Sequence, residues 1–372
     1  MKQFLHAHSA NQETPRLLDD CLEQLGDIPP EATLGFLYVS DFLGEELGQV
    51  VALLKEHTGI QDWVGSVGLA IIGGAQEYYD QAAMSIMVAD LNEADYRILP
   101  NFSLGTSEYT ESLNDWCQQQ AFNMGLLHGD PDNPSIQLLL KQLSHTIPES
   151  FLVGGMSSSR GIHYQVADDI CHGGMSGVLF SDRVQVFSNL TQGCTPIGGR
   201  HRVTQADNNI VFTLDQKPAL DVLIEDTGEI VAKDWESAVN YIFAGLLNKN
   251  SDLNDYSIRQ LIGINEEEKI IAIGDELEDG QELVFCRRDG NSAQEDMQRM
   301  LLQLKSRLKS NPKGGIYISC MGRGREQFGA HSEEVRLIHS VLGDFPLTGF
   351  FAEGEIHKNR LYGFTGVLTL FV

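Results

Sequence analysis

GGIYISCMGRGREQFG, Gly314–Gly329, opens with a glycine-led apolar run that ends in a cysteine and continues through three spaced glycines and two arginines. By itself it suits a phosphate-cradling loop, a reactive-thiol site, or one copy of a structural unit that ends in a binding loop. Its surroundings favour the unit. A helix-period stretch with Val335, Ile338 and Leu342 on one face follows, then FPLTGFFAEG from Phe345 and FTGVLTLFV, Phe364–Val372.

The same order occurs twice upstream. GFLYVSD, Gly35–Asp41, precedes a helical stripe of Leu43, Leu47, Val50 and Leu54, then WVGSVG, Trp63–Gly68, and MSIMVAD, Met84–Asp90. GLLHGD, Gly125–Asp130, precedes Ile136, Leu139, Leu140 and Leu143, then FLVGGMS from Phe151 and MSGVLFSD, Met175–Asp182. Paired glycines recur about 30 residues apart in all three: Gly35 with Gly65, Gly125 with Gly154, and Gly315 with Gly349. A weaker fourth copy is expected from ELVFCRRDG, Glu282–Gly290, with Met297, Met300, Leu301, Leu304 and Leu308 on the following helix. A further helix is expected to turn Val239, Ile242, Phe243 and Leu246 inward. Strands this apolar cannot stand in water, so the reading is a mixed α/β protein of repeated β-α-β-β units, its sheets layered with helices. At 372 residues two domains are expected, and the Lys217-Pro218 step places the junction near 215, giving domains 1–215 and 216–372.

Composition narrows function. A formal charge of -26 repels nucleic acid and anionic lipid, so neither is expected as a partner. Six cysteines without a C-x-x-C pair point to reduced thiols, and the longest apolar run, Val67–Ile72, is far too short for a membrane span. A soluble cytoplasmic protein is the expectation.

The opening loop fits neither nucleotide motif: four residues separate Gly324 from Gly329, and no G-K-S/T occurs. Its glycines free backbone N–H groups near a helix start, where Arg323 and Arg325 would favour a carboxylate. Alternatively the arginines belong to a tight surface connection. Glu353, Glu355 and His357 alternate as on one face of a strand, suiting a cation, a substrate ammonium, or a solvated edge. In QGCTPIGG, Gln192–Gly199, Cys194 sits in a rigid loop, with His201 and His172 as distant candidate bases and a buried structural thiol as the alternative. A zinc site from Cys171, His172, Cys194 and His201 lacks a fixing geometry. Ser157, Ser158 and Ser159 lie in no G-x-S-x-G context. No catalytic residue, metal or cofactor is assigned.

GGIYISCMGRGREQFG, GDFPLTGFFAEGEI and LYGFTGVLTLF together resemble the C-terminal domain of the FIST (F-box and intracellular signal transduction) family. SNLTQGCTPIGGRHRVTQADNNIVFTLDQKPALDVL resembles the junction of its two domains, and WVGSVG, FLVGGMSS and GGMSGVLFSD its N-terminal domain, so the likeness spans about residues 30–372. The resemblance implies a sensory module binding small ligands, amino acids among them, rather than turnover. It carries over Gln192, Gly193, Cys194, Pro196, Gly198, Cys320, Gly322, Arg323, Gly324, Arg325, Phe328, Gly329, Gly349, Phe350, Phe351, Gly354 and Glu355 as motif residues. The residues ahead of the match are expected to be too few for an F-box, and output is expected to pass to a separate signalling protein. The resulting expectation is a small zwitterion or carboxylate in a cleft where the domains meet. Arg323 and Arg325 would hold its carboxylate and Glu355 its ammonium, with Gln192, Cys194, Cys320, Gly322 and Gly324 around it. A protein-docking module without a metabolite, and an enzyme using Cys194 or Cys320, are the alternatives.

Overall fold

The computed structural model describes residues 3–104, 111–228, 241–247 and 256–372. The threefold repeat is present, and among the described residues each copy shares eight principal elements, with short extra helical turns at Asp41–Glu46 and Arg325–Phe328. Copy one runs β1 (Phe4–Ala10), α1 (Thr14–Leu25), β2 (Leu34–Ser40), α2 (Leu47–Thr58), β3 (Asp62–Gly68), β4 (Ala70–Gly73), β5 (Gln76–Tyr79) and β6 (Ala83–Ala89). Copy two runs β7 (Tyr96–Phe102), α3 (Glu111–Gln118), β8 (Asn123–Gly129), α4 (Ile136–Thr146), β9 (Ser150–Met156), β10 (Gln165–Ala167), β11 (Asp169–Cys171) and β12 (Met175–Ser181).

Copy three starts with β13 (Val186–Thr191) and is then interrupted. The interruption contains β14 (Thr195–Asp207), β15 (Ile210–Leu214), β16 (Lys217–Pro218), α5 (Ala219–Thr227), β17 (Ile242–Leu247), β18 (Tyr256–Asn265), β19 (Ile270–Ile273) and β20 (Glu282–Arg287). The copy resumes with α6 (Gly290–Arg307), β21 (Gly314–Cys320), α7 (Glu333–Leu342), β22 (Leu347–Ala352), β23 (Glu355–His357), β24 (Arg360–Tyr362) and β25 (Gly366–Phe371).

Each copy builds a six-stranded sheet of one design: β1-β6-β2-β3, β7-β12-β8-β9 and β13-β25-β21-β22, each completed by a hairpin from another copy. The β10–β11 hairpin of copy two adds to β3, the β23–β24 hairpin of copy three adds to β9, and the β4–β5 hairpin of copy one adds to β22. The exchange closes in a ring. Within each sheet one parallel pair, β2·β3, β8·β9 or β21·β22, receives its antiparallel third strand on the same side.

The central strands β2, β6, β8, β12, β21 and β25 are buried on both faces, which accounts for their apolar runs without polar alternation. Phe36 and Tyr38 face a shared core with Leu126, Val178, Phe180, Ile316, Ile318 and Phe371, while Leu37 and Val39 face the helices α1 and α2. Phe371 lies 5.9 Å from Phe36 and 5.7 Å from Phe180, so the central core joins all three copies. Ser158 links them through polar atoms: its Oγ accepts from Leu69 N (2.9 Å) and donates to Phe351 O (2.5 Å).

The compact units are Met1–Thr191 with Gln298–Val372, and Gln192–Met297. They do not divide at 215. Asp215 and Gln216, at φ 52° and 66°, are the turn of the β15–β16 hairpin inside the second unit, so the Lys217-Pro218 break marks a hairpin. In that unit β14 pairs with both β20 and β15, and the antiparallel strands β14-β20-β17-β18-β19-β15 close on themselves.

Two expectations are corrected here. Ile242, Phe243 and Leu246 lie on strand β17 between β18 and β20, not on a helix, while Val239 lies outside the described residues. The Glu282–Gly290 stretch begins no fourth copy, because β20 is antiparallel to both neighbours and has no parallel partner. The helix after it, α6, takes the place in copy three that α1 and α3 take in the others, and Met297, Met300, Leu301 and Leu304 are buried.

The recurrent glycines Gly65, Gly154 and Gly349 have one physical cause. They face Leu37, Leu127 and Tyr317 across the parallel pairs, where an added Cβ would stand 1.7, 1.9 and 1.8 Å from those residues' carbonyl oxygens. A backbone atom in a central strand cannot move aside as a side-chain tip can. Gly349→Ala is therefore expected to cost at least about 3 kcal/mol, or to prevent soluble expression, as read by urea denaturation.

Candidate functional site

In all three copies the first strand of the parallel pair runs out into a loop leading to a helix, and equivalent residues there are Ser40, Asp130 and Cys320. Polar and charged side chains gather at the carboxyl ends of the parallel pairs in copies two and three.

In copy three the loop is filled by the protein's own charges. Arg323 and Glu334 are buried and form an ion pair of 2.8 Å. Glu334 Oε1 accepts from Tyr317 Oη (2.6 Å), Ser319 Oγ (3.0 Å) and Arg323 Nε (2.8 Å), and its Oε2 accepts from Gly324 N (2.8 Å). From the donated hairpin, Glu77 reaches the start of α7. Val335 N donates to its Oε1 (3.2 Å), Tyr79 Oη donates to its Oε2 (2.7 Å), and Glu77 N donates to Ser332 Oγ (3.0 Å). An N–H of this helix start is thus met internally by the Glu77 carboxyl.

This arrangement corrects the expected roles. Arg323 cannot offer its fork to a ligand while Glu334 occupies it in the interior. Arg325 points outward, ion-paired with Asp80 at 2.6 Å and stacked over the Tyr79 ring, so the two arginines do not share a target. Glu355 is buried, accepts from Thr365 N at 3.0 Å, and is pushed well above the usual carboxylate range by burial, so its interior position keeps it from a ligand ammonium. Gly324, at φ 52°, gives its N–H to Glu334, while Gly322 and Cys320 belong to the same loop. The structure thus brings Arg323, Gly324, Cys320 and Glu355 into one unit as internal structure. Gln192 and Cys194 belong to the other, where Gln192 N donates to Asp296 Oδ2 (2.8 Å), Gln192 Nε2 donates to Tyr256 O, and Cys194 is buried.

The remaining candidates separate likewise. His201 is clamped by Asp215 and Asp226 at 2.7 Å each, and His172 packs edge-on against Tyr164. Glu353, Glu355 and His357 share no accessible face: Glu353 is exposed ahead of β23, while Glu355 and His357 are buried, the latter against Phe151.

Copy two is built differently at the equivalent place. A solvent-open cavity of about 760 Å³ lies at the start of α4, lined by Asn133, Gln137, Lys141, Met156, Glu353 and Leu361 among others. Leu361, opposite Ile356 on the β23–β24 hairpin, matches Glu77, opposite Ile72 on β4–β5. Where copy three inserts a carboxyl toward its helix, copy two presents a leucine and leaves space. Beside the cavity, Asp130 Oδ1 accepts from Asp132 N (3.0 Å) and Oδ2 from Gly173 N (2.7 Å), and His163 Nε2 lies 3.7 Å from Asp132 Oδ2. Motif reading missed Lys141, Asp132 and His163, since only the pairing of hairpins across copies brings them together with Glu353.

A two-unit α/β chain of three sheet-exchanging repeats interrupted by a closed antiparallel sheet is the architecture these residues define. The sequence matches the FIST N domain over residues 33–217 and the FIST C domain over residues 219–358, and the chain belongs to the FIST family. The changeover falls next to the β15–β16 hairpin, whereas the compact units divide after Thr191 and after Met297. FIST domains are associated with sensing in signal transduction. The chain is similar to Uncharacterized protein Rv0628c of Mycobacterium tuberculosis (strain ATCC 25618 / H37Rv), 30% identical over 321 residues and 83% of each chain. It is also similar to Uncharacterized protein Mb0898c of Mycobacterium bovis, 29% identical over 322 residues, 83% of this chain and 82% of that one. Among the described residues no helix is long and apolar enough to cross a membrane.

The buried carboxyls of copy three carry a pH signature. Burial, then the nearby Glu334, raises Glu77 from 4.5 to about 7 in spite of its Tyr79 and Val335 donors. A carboxyl held protonated by the fold contributes stability that is fully present below its unfolded value and lost as pH rises through its folded value. Glu77→Gln removes the titration, while its NH2 can accept from neither Val335 N nor Tyr79 Oη. It is expected to flatten the stability profile between about pH 4.5 and about pH 7, as measured by urea melts at several pH values.

Proposed function

We propose that the chain is a sensory module that binds a small zwitterion or carboxylate, an amino acid being the reference ligand, in the copy-two cavity at the start of α4. The observation that carries this reading is the exchange of Glu77 for Leu361 between equivalent hairpins. One helix start has its carboxyl built in, and the other opens onto a cavity whose walls carry both charge signs, Lys141 and Glu353. The cavity size falls in the range of small-molecule sites. A ligand carboxylate would meet the helix start and Lys141, and a ligand ammonium would meet Glu353. In this reading the signal passes to a separate output protein in the cytoplasm, supported by six free cysteines.

Calorimetry against a panel of amino acids and small carboxylates, in the presence of a chelator, tests the proposal. At least one compound is expected to bind, with affinity reduced about tenfold or more by Lys141→Ala and by Glu353→Gln, since each removes a charged partner worth more than about 1.4 kcal/mol. Both side chains are exposed at the cavity, so thermal melts of the variants should match the wild type. No binding across the panel, or equal binding by all three proteins, would overturn it.

A further inference from the structure

We propose that Asp130, Asp132 and His163 form a binding site for one divalent transition-metal ion of the Zn2+ class, held at the carboxyl end of β8. A ligand atom from each of the three lies within 4.8 Å of the other two, near enough to converge on one ion. One imidazole nitrogen and two carboxylate oxygens form a donor set suited to Zn2+, Mn2+ or Co2+, and three protein ligands leave a position for water or another molecule.

Two independent features distinguish this group from an ordinary surface cluster. Asp130 is buried and immobilised, since Asp132 N and Gly173 N each donate to one of its oxygens and leave further lone pairs free. Such anchoring of a ligand carboxylate is the outer-shell support that metal sites use. His163 is only 6% exposed, yet its Nδ1 meets no hydrogen-bond partner and its Nε2 stands 3.7 Å from Asp132 Oδ2, too far for a hydrogen bond. A buried imidazole nitrogen without a partner is costly. Asp132, by contrast, is 84% exposed and gives the site its opening to solvent. Glu353 lies within electrostatic reach: desolvation raises its carboxyl, His163 lowers it, and Asp132 and Asp130 raise it again. It also lines the neighbouring cavity.

The test is titration of chelator-treated full-length protein with Co2+, followed by its visible d–d absorption and by the melting temperature, and repeated by competition with Zn2+. No amino acid is present, so the result is independent of the ligand titration, which is run with chelator. One equivalent of Co2+ is expected to bind the wild type with d–d bands and a raised melting temperature. Asp132→Asn and His163→Ala are each expected to weaken that binding at least about tenfold, the least that loss of even an outer-shell partner costs. Asp132→Asn alters an exposed side chain, so its metal-free melt should equal the wild type's and keep the test valid if His163→Ala folds poorly. Absence of bands at saturating Co2+, or binding by Asp132→Asn as tight as by the wild type, would overturn the site.

Discussion

Backbone pairing across copies is the constraint on which the rest of the first unit depends. A sheet ending at β3, β9 or β22 would present an unpaired row of N–H and C=O groups, and each row is covered by a hairpin from a different copy. Because the three exchanges form a ring, every copy both gives and receives. The central core around Phe371 then fills with side chains from all three. Gly65, Gly154 and Gly349 are required by the same geometry, since the parallel pairs approach too closely there for any side chain.

The exchange also decides which loop ends are closed. At α7 the incoming hairpin carries Glu77, which joins Glu334, Arg323 and Tyr317 in a buried polar cluster. Such a cluster is costly to desolvate and is tolerated because nearly every donor has an acceptor. At α4 the corresponding hairpin carries Leu361, and an open cavity replaces the cluster. Equivalent backbone thus supports a sealed charge network in one copy and an accessible pocket in another.

Much of the architecture was legible in the sequence. Glycine-led apolar strands, their helical stripes and the paired glycines marked the middle of each of the three copies, because burial on both faces leaves a continuous apolar signal at β2, β8 and β21, whereas the strand and helix that open each copy were not read as part of it. The exchanged hairpins were not legible: β10, β11, β23 and β24 have three residues each, too short for a periodic pattern. The Glu282–Arg287 strand has the composition of a repeat strand, but composition does not name a strand's neighbours, and its neighbours are antiparallel. Arg323 and Glu355 misled for a related reason. Charged residues in glycine-rich loops ordinarily face water, and here Glu334 and Thr365 take them into the interior. The candidate pocket was illegible as well, since Lys141 and Glu353 lie on different copies and line one cavity only once the β23–β24 hairpin has paired with β9.

The ring also bears on how the chain matures during translation. The strand edge at β9 is completed by residues 355–362, made long after β9 itself, while the β4–β5 hairpin made earlier waits for β22. A chain cut between the two family domains would keep an uncovered edge and an unhoused hairpin at once. The family boundary therefore separates strands that pair with one another in the finished first unit.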